Sequence, residues 1–142
     1  MGHINVGRVV IGGIVAAVIL FIAGAIIHGL ILGGDWTAWQ GAGHMPLAQS
    51  HATQTVIWIV VSLVTGLTGV WIYAGIRPRY GAGVRTALIA GLMVWLLGGL
   101  VGALAECALG NVPHNVVVVG AIGYLIADLI AVVAGAYFYQ EA

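Results

Sequence analysis

Four stretches of this chain, approximately 8–33, 53–76, 84–109 and 116–139, are apolar over the roughly 20 residues that a membrane-crossing helix needs. None alternates polar with apolar positions, as the strands of a membrane barrel do, so the pattern predicts helices. The segments between them are short. The expected fold is an all-α membrane protein: one transmembrane domain over 1–142, built as a four-transmembrane-helix bundle.

Composition strengthens this picture. Of 142 residues, 62% are hydrophobic and 6% charged, and mean hydropathy is +1.14. A soluble domain carries about 25% charged residues, so this chain lacks a water-facing shell and its expected partner is the lipid bilayer. The formal net charge of zero leaves no basic patch for nucleic acid. The single cysteine, Cys107, excludes an intrachain disulfide and a multi-thiolate zinc site. Near the start, Arg8, an apolar run and Ala23-Gly24-Ala25 mimic a signal peptide. A signal h-region is only about 7–15 residues long, whereas this run continues to about Gly33, so a retained helix is expected.

Charge then orients the bundle. Arg77, Arg79 and Arg85 lie in the loop Arg77-Pro78-Arg79-Tyr80-Gly81-Ala82-Gly83-Val84-Arg85, and the fourth basic residue, Arg8, precedes the first run. Cytoplasmic loops collect Lys and Arg. A multi-pass protein of the cell membrane is expected, with both termini cytoplasmic and with 34–52 and 110–115 facing outward. Tyr73, Tyr80, Tyr137 and Tyr139 would mark the cytoplasmic boundary, and Trp36 and Trp39 the outer one. Asp35 is a candidate N-cap for a short ordered turn in the first outer loop.

The halves resemble each other. A shift of 78 residues carries Gly13, Gly24 and His28 onto Gly91, Gly102 and Glu106. A shift of 66 carries Ser62, Gly69, Trp71 and Tyr73 onto Asp128, Gly135, Tyr137 and Tyr139. This is the pattern of a parallel two-hairpin repeat. Helices in lipid associate through small residues, and Gly13, Gly24, Gly91, Gly98, Gly102 and Gly135 are the expected packing positions. The polar residues fall on the same faces.

Two constellations could carry chemistry. Asp128 lies about 12 residues, or roughly 18 Å, into the fourth run, and a carboxylate at that depth costs about 2.5–3.5 kcal/mol or more. Ser62, Thr65 and Tyr124 are its candidate partners in a proton or ion relay. His28 and Glu106 sit at matched depth near the outer boundary, where they could share a proton. Possible metal ligands cluster outside: Asp35, His44, His51 and His114. Imidazole and carboxylate suit zinc, copper or iron, yet the spacings match no HExxH or Cys/His site. His44 and His51 would share a helix face only if a helix began near Pro46. No nucleophile elbow, Walker loop or dinucleotide fingerprint is present, and Gly81-Ala82-Gly83 lacks the spacing of one. The expectation leans away from an enzyme, and no cofactor is required.

In length, four-span layout and the turn Ile76-Arg77-Pro78-Arg79-Tyr80-Gly81, the chain resembles small bacterial integral membrane proteins without an assigned activity. The resemblance implies the fold and transfers no functional residue. The small multidrug transporters differ in carrying their essential Glu in the first helix, where this chain offers only His28. The four-span glutathione-transferase-like enzymes require basic and Asn-rich motifs that are absent here. Three readings follow. A structural or accessory subunit of a membrane assembly comes first, as a homo-oligomer or with other membrane subunits. A small transporter, channel or proton relay using Asp128 and the His28/Glu106 pair comes second. A metal- or haem-binding protein using the outer histidines comes third.

Overall fold

The computed structural model describes residues 3–44 and 50–141. Four long apolar helices form the molecule: α1 (Val6–Ile31), α3 (His51–Tyr80), α4 (Val84–Leu109) and α5 (His114–Tyr137), with a short α2 (Gly33–Gly41) between the first two. Among the described residues there is no strand. The all-α four-helix bundle is therefore the fold, and each long helix has the length and composition to cross a membrane.

Local chemistry sets the helix ends. The Asn5 side chain accepts the Arg8 N–H at 3.2 Å, and the Ser50 hydroxyl accepts the Thr53 N–H at 3.1 Å. Both are N-caps that satisfy otherwise orphaned donors. Helix α3 runs through Pro78 to Tyr80, past the expected end at 76. Pro78 sits in the last turn, where its missing N–H removes only the one bond that would return to the Ala74 carbonyl. The chain then reverses at Gly81 (φ 86°) and Gly83 (φ 124°), left-handed positions that glycine adopts without strain. The Thr86 hydroxyl donates to the Gly81 carbonyl at 2.7 Å and ties the turn to α4.

The helices form a ring. Helix α1 packs on α3 and α5, and α4 packs on the same two, while α1 and α4 occupy opposite corners. Small residues allow the closest approaches. A Cβ on Gly12 would stand 2.4 Å from the Gly135 carbonyl oxygen, and one on Gly66 would stand 2.5 Å from that of Gly13. A Cβ on Gly91 would meet the Asp128 carbonyl oxygen at 2.9 Å. In lipid such van der Waals contact supplies most of the association energy. Gly13, Gly91 and Gly135 thus occupy packing positions, as expected. Gly24 faces the Tyr124 hydroxyl instead of a backbone. Gly98 and Gly102 correct the expectation: a Cβ on either meets nothing within 4 Å, because the second half of α4 stands away from α3.

The ring is tight at one end and open at the other. At the arginine end, the Tyr139 hydroxyl accepts the Asn5 N–H, the Tyr73 hydroxyl accepts the Gly83 N–H, and the two tyrosine rings meet edge to face. Arg77 lies over the Tyr139 ring and pairs with Glu141 at 3.4 Å. Tyr73 and Tyr139 are therefore buried clamps, whereas Tyr80 and Tyr137 are exposed. At the tryptophan end, α1, α2 and α5 stay together around Ile27, Leu32 and Val116. Helix α3 before Ser62 and α4 after Val94 contain no buried residue. Those two half-helices lean apart.

Two segments are π-helical, Ala25–Ile31 in α1 and Trp95–Leu100 in α4. Wider turns of this kind recur at functional sites. A shift of 78 residues would carry the first onto 103–109, beyond the second, so the π segments do not follow the internal repeat.

Candidate functional site

Asp128 projects from the middle of α5 and is 3% exposed. Its Oδ1 atom has no hydrogen-bond partner among the described residues. Ser62, Thr65 and Tyr124 stand around the same cavity, of about 450 Å³, between α3, α4 and α5. None of the three hydrogen-bonds to the acid. The Ser62 hydroxyl instead donates to the Trp58 carbonyl oxygen one turn back at 2.8 Å, the usual alternative for a serine inside a helix. The structure thus gathers the expected relay residues and leaves the acid at their centre without the bonds expected to satisfy it. Across the cavity the π segment of α4 contributes Gly98 and Gly99, which keep it open. Trp95, from that segment, donates its indole N–H to the Ala121 carbonyl oxygen at 2.8 Å and props α4 on α5.

A second cavity, of about 600 Å³, leads from the tryptophan end toward the first. Gln40, His51, Gln54 and Thr55 line its outer part, His28 its middle, and Ser62 and Tyr124 its inner part. Leu20, Trp58, Ser62 and Tyr124 border both cavities. Polar side chains therefore run from the tryptophan end of the bundle down to the buried acid.

His28 is set among aromatic rings: Trp36 at 5.9 Å, Trp58 at 5.6 Å in a stacked arrangement and Tyr124 at 5.7 Å between centroids. The Trp36 indole N–H donates to His28 Nδ1 at 3.2 Å. The neutral ring must then carry its proton on Nε2. No hydrogen bond or ion pair joins His28 to Glu106. The pair falls apart because α1 and α4 sit at opposite corners of the ring, so equal depth does not bring their side chains together. Glu106 lies on the part of α4 that leans away, and its carboxylate bonds to no described residue.

The outer ligand candidates are also dispersed. Asp35 lies in the first turn of α2, not at its cap, and its carboxylate accepts from the Asn115 amide at 2.5 Å. His44 stacks on Trp39, at 5.0 Å between centroids. His51 and His114 open α3 and α5. Among the described residues no three His, Cys, Asp or Glu side chains converge as metal ligands. A helix beginning near Pro46 falls outside the described residues.

The short ordered turn expected in this loop is the helix α2, and the sequence leaves open what it holds. Its Trp36 bonds to His28, Trp39 donates to the Asn111 carbonyl oxygen at 3.0 Å, and Asp35 holds Asn115. The helix is a cover strapped over the outer cavity. The signal available was the Trp36/Trp39 spacing, which an interfacial anchor explains equally well.

The class of protein these features define is a multi-pass α-helical membrane protein with a buried acid at the inner end of a polar path. In comparisons with known proteins, no family, no individual protein and no solved structure matches the chain.

Proposed function

We propose that the protein is a small membrane transporter that binds protons or cations at Asp128. The observation that carries this reading is the unpartnered, almost fully buried Asp128 carboxyl facing a cavity of about 450 Å³. An acid kept to glue helices together would be bonded to its neighbours, because an unsatisfied buried polar group costs about 1–3 kcal/mol. Intramembrane acids mark ion and proton routes for the same energetic reason. His28, Tyr124 and Ser62 line the approach, Asp128 is the binding group, and Thr65 borders the chamber. Glu106 has no part in it. All four arginines lie toward one end of the bundle, which supports a cell-membrane orientation with both termini cytoplasmic and the polar path open to the outside.

The test is proton flux into liposomes carrying the purified protein and an internal pH dye. Wild type dissipates an imposed pH gradient faster than empty vesicles, and Asp128→Asn returns the rate to that of empty vesicles. Equal rates for wild type and Asp128→Asn would overturn the reading.

One observation favours an accessory role as a second reading. A Cβ on Gly98 or Gly102, on the open half of α4, would meet no described residue within 4 Å, and small residues facing lipid suit another helix. Native mass spectrometry from the source membrane decides it: fixed stoichiometry with other polypeptides supports this reading, and a lone chain removes it.

A further inference from the structure

Helix α3 meets α4 only over Val84–Val94. Beyond Val94 the two diverge, and the gap between them leads sideways into the chamber over Asp128. Trp58, Val61 and Val64 border it on α3, and Leu97 and Gly98 on α4. These residues face hydrocarbon when the helices span a bilayer, so the chamber has a mouth toward lipid as well as a path toward water. Its walls are mostly apolar. The polar groups are Ser62, Thr65, Thr68, Tyr124 and Asp128, and no Lys or Arg lines it. The four arginines belong to the N-terminal segment and to the α3–α4 turn region. No basic side chain of the described residues therefore neutralises this acid from within the chamber.

Resting on the transport reading, we propose that the chamber takes a lipophilic cation, an apolar body bearing one positive charge, directly from the bilayer. Charge complementarity singles out the sign, because the cavity supplies one unpartnered carboxyl and no cation. The apolar walls and a volume of about 450 Å³ suit a drug-sized body. Trp58 and Tyr124 line the chamber, and aromatic rings attract a cation stripped of water. Binding exchanges one ion for another. A protonated Asp128 releases its proton through the His28 path as the cation arrives, and regains it as the cation leaves.

The probe is tetraphenylphosphonium, a permanent cation, against tetraphenylborate, an anion of the same shape, with protein in lipid nanodiscs and empty nanodiscs as the baseline. Saturable binding of the cation alone is expected, with proton release at acidic pH. Asp128→Asn weakens it about a hundredfold, the scale of leaving one partner of a buried charge pair unpaired. Gly98→Leu, at a position where a Cβ meets no described residue within 4 Å, is expected to narrow the lateral mouth and to weaken or slow binding, with an unchanged helical circular-dichroism spectrum as the check on the fold. Equal binding of the two probes, no binding above empty nanodiscs, or indifference to both substitutions would overturn the proposal. Proton flux that depends on Asp128 without cation binding refutes this inference alone. Flux unaffected by Asp128→Asn refutes the transport reading itself.

Discussion

Asp128 and Gly12 state opposite demands on single residues. Gly12 exists for contact: a Cβ there would stand 2.4 Å from the Gly135 carbonyl oxygen, a backbone atom that cannot swing away. Gly12→Ala is expected to destabilise the bundle by about 1–3 kcal/mol through overpacking. Gly102→Ala, with nothing within 4 Å of the new atom, should stay within about 0.5 kcal/mol. Thermal unfolding in one detergent distinguishes them. Asp128 acts in the other sense, since its Oδ1 is buried without a partner. Asp128→Val removes that liability and is expected to raise stability by about 1–3 kcal/mol while abolishing flux. A fall in stability would mean that the acid is a structural bond after all. Depth was legible in the sequence for Asp128, because position along a helix follows from counting. Pairing was not legible for His28 and Glu106, because counting fixes height and leaves open which corner of the ring each helix occupies.

At the scale of elements, the hydrophobic runs located the long helices well. The expected 84–109 coincides with α4, and the other three differ by a few residues at their ends. Lipid-facing helices declare themselves by composition alone, which is why this part was legible. Of α2 only a short ordered turn was legible, since its nine residues include three glycines and its side chains are held by partners elsewhere in the chain. The π segments leave no trace in apolar sequence, since a shift of register changes backbone bonds and not hydrophobicity. The strap from Trp36 to His28 makes α2 sensitive to acid. Protonating His28 converts Nδ1 from acceptor to donor, and it then confronts the Trp36 N–H. Amide hydrogen exchange over Gly33–Gly41, corrected for intrinsic pH effects, should speed up as His28 is protonated. His28→Gln keeps an acceptor at every pH, and its α2 exchange should show no such step. An identical step in both proteins would place the switch elsewhere.

Across the whole molecule, packing is graded from one end to the other. Val70, Ala131 and Val132 are fully buried, with the Tyr73–Tyr139 clamp beyond them, while α3 before Ser62 and α4 after Val94 bury nothing. Local opening free energies follow burial. Exchange in nanodiscs should therefore be slowest over residues 66–74 and 127–136, and faster by at least about tenfold over 51–61 and 101–109. Uniform protection would contradict the splayed arrangement. Four spans and short connections limit the ring order of the helices without fixing it, and the packing in the structure decides it. The splay does not follow from them either, because it depends on where α4 departs from α3.

The tightest contact in the bundle also bears on passage. Below Asp128, Ala131 and Val132 fill the space between helices, and the Gly12–Gly135 backbone contact closes it. The polar path is a blind alley in this conformation. Whatever Asp128 receives from the tryptophan end does not go on toward the arginine end unless α1 and α5 part at those glycines. Their seam is then the latch of the protein: strong enough to hold two helices together, and small enough in side-chain bulk that releasing it drags nothing out of place.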